Sequence, residues 1–168
     1  GLPPGVLNIV TGLGEQAGAA LAEHRDVDKI AFTGSTEVGK LIVNAARGNL
    51  KKVTIELGGK SPAIVMRDAD LELAIPGVAN AIFFNSGQVC VAGSRLYVHE
   101  TIYDKVMAGV ADYAQGLKLG NGLDPTVQMG PLISAKHADR VLSYIDSGIQ
   151  QGAEAVTGGR RVDGTQTF

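Results

Sequence analysis

Between Val6 and Glu56 the chain alternates short β-type runs with helical ones, and this alternation restricts the fold more than any other feature. Val6 to Val10 reads as a strand ending in Thr11-Gly12, the alanine-rich stretch from Gln16 to His24 as a helix, Lys29 to Thr33 as a second strand and Val53 to Glu56 as a third. Before the third strand, Gly34-Ser35 turns into a helix whose apolar positions Val38, Leu41, Ile42, Ala45 and Ala46 recur with helical period. Short strands separated by crossover helices pair in parallel with right-handed connections, and such sheets bind ligands at the carboxyl ends of their strands. That rule singles out Gly12 to Gly14, Thr33 to Ser35 and Glu56 to Gly59.

Two glycine clusters on this edge compete for a nucleotide phosphate. Gly12-Leu13-Gly14-Glu15-Gln16-Ala17-Gly18 follows a strand, but its last glycine comes one residue too late for the dinucleotide spacing. Phe32-Thr33-Gly34-Ser35 is better placed, because a glycine admits a ligand to the backbone and Ser35 opens a helix whose free N–H groups attract anions. A plain strand-to-helix turn with Ser35 as N-cap explains the same residues.

Beyond Glu56 the pattern changes. Glu56 to Pro62 reads as a hinge, Ala63 to Met66 as a strand and Asp68-Ala69-Asp70 as an acidic helix start. The helix that reaches Phe84 carries Pro76 in its middle, which predicts a kink or a late start. Arg95 to His99 alternates as a strand, and Thr101 with Asp104 resembles a capping box for a helix with the stripe Ile102, Val106, Val110, Tyr113 and Leu117. Turn clusters stand at Gly120 to Pro125 and at Gly130-Pro131-Leu132. Ser134 caps a last helix with Ala138, Val141, Leu142, Ile145 and Ile149 inward and Gly152 as its stop, and Glu154 to Thr157 reads as a final strand.

Composition removes several function classes. A net charge of −2 with no Lys/Arg block leaves no electrostatic footprint for nucleic acid or an anionic membrane. No apolar run approaches the roughly 20 residues of a membrane span. One cysteine in 168 residues excludes an intrachain disulfide framework and suits a reducing, cytoplasmic setting. The opening turn Gly1-Leu2-Pro3-Pro4-Gly5 and the loop-like residues 158–164 near the close lead us to expect an internal fragment of a longer protein.

That cysteine is Cys90, within Phe84-Asn85-Ser86-Gly87-Gln88-Val89-Cys90-Val91-Ala92-Gly93-Ser94-Arg95. Together with Phe32 to Gly39 and Glu56-Leu57-Gly58-Gly59-Lys60-Ser61-Pro62, this segment resembles three signature blocks of the NAD(P)-dependent aldehyde dehydrogenase superfamily. Order agrees, as do the 34 positions from Glu56 to Cys90. The likeness runs from Gly5 to about Gly159, and Gly120-Asn121 and Met129 to Leu132 fit it too.

The resemblance implies an α/β fold, a partial Rossmann-like parallel sheet followed by an α/β catalytic domain carrying the nucleophilic cysteine. Residues 1–58 would be the C-terminal part of the NAD(P)-binding domain and 59–168 the N-terminal part of the catalytic domain. It implies an enzyme in which Cys90 attacks the aldehyde carbonyl, the Cys90 N–H helps hold the oxyanion, and Glu56 is the general base that hydrolyses the thioester to a carboxylic acid. The cofactor would be NAD or NADP, with no metal. Gly14 and Gly18 would flank its adenine side, Gly34 and Ser35 its pyrophosphate with Val38 beside them, Leu57 and Gly58 its nicotinamide side, and His137 a ribose. By this likeness the Phe32 block, and not the cluster at Gly12, is the phosphate cradle.

Phe84 and Val89 would line an aldehyde tunnel, and the phenylalanine pair would suit an aromatic or medium-chain apolar substrate. The family's oxyanion asparagine, the lysine and acidic residue that read the adenosine ribose and the glutamate-phenylalanine motif for the nicotinamide ribose would lie outside this chain, so the fragment alone should have little or no turnover. The full-length parent is expected as a homodimer or homotetramer. A coenzyme A-acylating relative, or a non-catalytic structural one, remains the alternative, although Glu56 argues for hydrolysis.

Overall fold

A computed structural model of the chain describes residues 1–162, divided into two units, 1–58 and 59 onward. Each is built on one parallel strand pair with a helix between the strands. In the first unit a π-helical turn at Gly14–Gly18 runs into α1 (Ala19–Glu23), followed by β1 (Lys29–Gly34), α2 (Thr36–Ala46) and β2 (Lys52–Leu57). The two strands pair from Lys29 opposite Lys52 to Gly34 opposite Leu57, as the alternation predicts. Ser35 caps α2 by accepting the Val38 N–H at 3.2 Å.

The inward face of α2 is centred on Gly39, Ile42 and Ala46, while Val38 and Leu41 stay exposed, so the apolar stripe read from the sequence is rotated. The cause is a close approach. A Cβ at Gly39 would stand 2.8 Å from Leu57 Cδ2, and the missing side chain lets α2 settle on β2. Lys51 is 7% exposed, and its Nζ donates to the carbonyls of Ala22 and His24, both at 2.7 Å. A cation thus satisfies carbonyls left unpaired at the end of α1, where the helix dipole favours it.

The strand expected over Val6 to Val10 is not formed. This segment is irregular and exposed, because a strand needs a neighbour for its N–H and C=O groups and none pairs with it among the described residues.

The second unit contains β3 (Pro62–Val65), α3 (Leu71–Phe83), β4 (Arg95–Val98), α4 (Tyr103–Gly116) and α5 (Ala135–Gln150). β3 and β4 pair in parallel from Pro62 opposite Arg95 to Val65 opposite Val98. Helix α3 starts at Asp70, whose side chain accepts the Glu72 N–H at 3.0 Å, so Pro76 falls inside the helix and does not open it. Val106 of α4 is fully buried, with Ala79, Val65, Ala92 and Ala138 also in the core, and Phe83 stacks on Tyr113 at 6.4 Å between ring centroids. Burying a valine of this kind contributes about 1.5–3 kcal/mol.

Three further expectations are corrected here. The Thr101/Asp104 capping box is replaced by His99, whose Nδ1 accepts the Thr101 N–H at 3.3 Å and starts a 3-10 turn at Glu100–Ile102 ahead of α4. Val141 and Ile149 of α5 stay exposed, leaving Ala138, Leu142 and Ile145 inward. Glu154 to Thr157 is irregular, without a strand partner among the described residues. The stop at Gly152 does form: with φ +92°, it lets its own N–H reach the Ile149 carbonyl and the Ala153 N–H reach that of Gly148, both at 2.9 Å. The loop expected over 158–164 is described to Val162 only, the rest lying outside the described residues. No helix among the described residues is long and apolar enough to cross a membrane.

Candidate active site

In the first unit the candidate residues gather at the carboxyl edge of the sheet. Register alone sets Thr33 opposite Glu56 and Gly34 opposite Leu57, with Ser35 and Gly58 one residue further on. Ile55 and Leu57 face α2, so strand alternation turns Glu56, which is exposed, to the opposite face. Gly34 has a steric reason to be glycine: a Cβ there would stand 2.5 Å from the tip of the Phe32 ring. At the α2 terminus Ser35 Oγ accepts from Val38, which leaves its own proton free to donate, and the first helical N–H groups have no intrahelical partner. These donors suit an anion, and the Glu37 carboxylate in the same turn offsets part of that attraction.

Gly14 and Gly18 bound the π-helical turn that leads into α1, which packs against α2. A Cβ at either would meet nothing within 4 Å, whereas one at Gly12 would stand 3.0 Å from Ala17 Cβ. Val38, at the third position of α2, is exposed beside the Ser35 cap.

Cys90 lies in the second unit at the other end of a parallel pair, on the segment that precedes the amino end of β4. Its thiol is exposed, in a turn closed by the Ala92 N–H donating to the Val89 carbonyl at 3.1 Å. Downstream, Gly93 N–H donates to the Ala81 carbonyl at 2.9 Å, and Arg95 fastens the edge through Nε to the Lys60 carbonyl at 2.8 Å. No hydrogen bond among the described residues engages the Cys90 N–H, so that donor is available to an oxyanion. A Cβ on Gly59 would be only 3.7 Å from the Cys90 carbonyl, which brings the start of β3 and the cysteine turn to one edge.

Upstream of the cysteine the backbone is left-handed over three consecutive residues, Asn85 (φ +50°), Ser86 (φ +56°) and Gly87 (φ +72°). Each non-glycine residue in this region costs of order 1–2 kcal/mol and needs surrounding contacts to hold it. Those contacts are side-chain bonds. Asn85 Nδ2 donates to the Gln88 carbonyl at 3.2 Å, Ser86 Oγ to the Gly130 carbonyl at 2.8 Å, and Gln88 Oε1 accepts the Ile133 N–H at 3.0 Å. Sequence reading missed this bracing: Gly130-Pro131-Leu132 was visible as a turn, and nothing in its residue types points at the cysteine segment 40 or more positions earlier.

The phenylalanine pair is divided. Phe83 stacks on Tyr113, while Phe84 is 65% exposed and Val89 half-buried. His137 stands in the first turn of α5, where its N–H donates to Ser134 Oγ at 3.2 Å.

The comparisons with known proteins decide the family. The aldehyde dehydrogenase family model matches residues 1–168. The chain belongs to the aldehyde dehydrogenase family. It is 53% identical over 168 residues to phenylacetaldehyde dehydrogenase of Pseudomonas fluorescens, covering 100% of this chain and 34% of that one. Among solved structures it is similar to PnpE from Pseudomonas sp. WBC-3, with 52% identity and a TM-score of 0.95 over 97% of this chain and 34% of that one. The NAD+ complex of aldehyde dehydrogenase from Bacillus cereus gives 49% identity and a TM-score of 0.94, over 96% of this chain and 33% of that one. The chain therefore spans about a third of the length of the relatives it matches. These likenesses carry the α/β fold class as well.

Proposed function

We propose that this chain is part of an enzyme that oxidises an aldehyde to a carboxylic acid with NAD or NADP, Cys90 being the nucleophile and Glu56 the general base. The observation that carries the reading is the exposed Cys90 thiol in a turn fastened on both sides, with its own N–H unengaged. In family terms the first unit supplies cofactor binding and the second the nucleophile. The edge around Gly34 and Ser35 fits a dinucleotide: it offers unpaired helical N–H donors, a serine hydroxyl and a glycine whose added Cβ would press on the Phe32 ring, with Leu57 and Gly58 at the end of the neighbouring strand. Gly14, Gly18, Val38 and His137 are assigned to the same cofactor by family likeness. When bound, such a cofactor supplies the hydride acceptor.

The chain's own groups do the rest. Cys90 as thiolate adds to the aldehyde carbon, and the carbonyl oxygen takes the negative charge beside the Cys90 N–H. After loss of hydride the carbon is held as a thioester. Glu56 takes a proton from water as its oxygen attacks that carbon, the thiolate leaves, and the acid is released. A general base contributes about 10²–10⁴-fold to such a step.

We assign the complete site to the full-length protein and expect little or no turnover from these 168 residues alone, since the oxyanion asparagine and most of the ribose-reading groups are expected elsewhere. A homodimer or homotetramer in a reducing cytoplasm is the setting we propose. The test is a panel of aldehydes with NAD and with NADP on the full-length protein. Cys90→Ala should abolish product, and Glu56→Gln should keep a single burst of reduced cofactor while losing turnover. Sustained acid formation by Cys90→Ala would overturn the nucleophile, and acyl-coenzyme A as product would overturn hydrolysis.

A further inference from the structure

Three side chains upstream of Cys90 are spent on holding backbone, and two of them reach a segment far along the chain. Ser86 Oγ donates to Gly130 at 2.8 Å in a half-buried setting, and Gln88 Oε1 accepts from Ile133 at 3.0 Å. Gln88 also closes its own turn twice, through its backbone N–H at 3.1 Å and its Nε2 at 3.3 Å, both to the Asn85 carbonyl. It therefore joins the left-handed run, the 130–133 segment and, two residues on, the cysteine. Without these bonds a run containing two non-glycine residues would relax toward right-handed or extended backbone, since its local preference lies there. Gly87 (φ +72°) holds the left-handed region at little cost, so the tethers act on the two non-glycine residues before it.

We infer that Gln88 and Ser86 are positioning residues for Cys90: two tethers to the Gly130–Ile133 backbone keep the left-handed turn wound and so fix where the thiol stands. This rests on the proposed nucleophilic role of Cys90, and its test is chosen so that the two can fail separately. Neither residue touches the reacting atoms. Each acts through the backbone that carries the cysteine.

The experiment uses the full-length protein with Gln88→Leu, Gln88→Glu, Ser86→Ala and Cys90→Ala. It measures kcat per folded molecule against pH, KM for cofactor, melting temperature, and the rate of iodoacetamide alkylation at Cys90 by mass spectrometry. Gln88→Leu is expected to lower kcat about tenfold and to change the alkylation rate at least threefold, with KM for cofactor unchanged. Gln88→Glu keeps an acceptor for Ile133 and should recover most of the plateau kcat, with its pH profile moved upward by the added carboxylate. Ser86→Ala should act in the same direction about threefold, and it serves as the reporter if Gln88→Leu does not fold. If the variants melt earlier while kcat and alkylation per folded molecule stay within twofold of wild type, the tethers are merely structural and the inference falls. Aldehyde oxidation by Cys90→Ala would sink the nucleophile reading instead, and the alkylation rates would still decide the tethers.

Discussion

The two βαβ pieces place their candidate groups at opposite ends of their strands. In the first unit Gly34, Ser35, Glu56 and Leu57 stand where β1 and β2 finish, and regular secondary structure holds them there: strand register, a helix N-terminus and one serine cap. In the second unit Cys90 and Gly59 stand before β4 and β3 begin, on irregular backbone held by side-chain bonds and by three left-handed residues. Chain direction is enough to locate the first group, because the carboxyl-end rule follows from the handedness of crossovers. It would never have located the second.

The contrast can be broken by substitution. Gly87→Ala should cost the most, about 2 kcal/mol in urea unfolding of the full-length protein, since it sets a Cβ at φ +72° and 3.3 Å from the Ile82 carbonyl. A loss below about 0.5 kcal/mol would mean that the left-handed turn gives way freely. In the regular turn Ser35→Ala removes a single cap and should cost about 1 kcal/mol by the same measurement. A larger loss there would show that the first turn also depends on its side chains.

The smallest effect belongs to Asp124, in the turn between α4 and α5. Hydrogen bonds from the Thr126 side chain and then the Thr126 N–H hold its carboxyl below the ordinary value of 3.8, against a small opposing effect of desolvation. A depressed folded-state value means that its contribution is present above pH 4 or so and is lost as the pH falls through the lower folded value. The Thr126 amide resonance should move over that acidic range, and Asp124→Asn should abolish the movement.

What the sequence disclosed follows the same division. Helices α2 and α5 with their serine caps, the pairing of Lys29 to Thr33 with Val53 to Glu56, and the stripe through Val106 were legible because local periodicity and cap chemistry act over a few residues. Val6 to Val10 and Glu154 to Thr157 have strand-like composition, but a strand is decided by a partner that composition does not name. His99 displaced the expected Thr101/Asp104 cap because an imidazole nitrogen can accept a backbone N–H as a carboxylate does, and the choice depends on where β4 ends. At the proposed site, Cys90 and Glu56 are assigned from the motif residues around them, by family likeness. The bracing by Ser86 and Gln88 was not, since it depends on two backbone groups more than 40 positions away.

Lys51 offers a different use. Its amine is sequestered against two carbonyls, while Lys52, the next residue, is open to solvent on β2. An acylating reagent such as an N-hydroxysuccinimide ester attacks only the unprotonated, accessible amine, so the two adjacent lysines form an internally calibrated pair. The ratio of their labelling reports how often the end of α1 comes away from β2, in the intact protein and without any probe of catalysis.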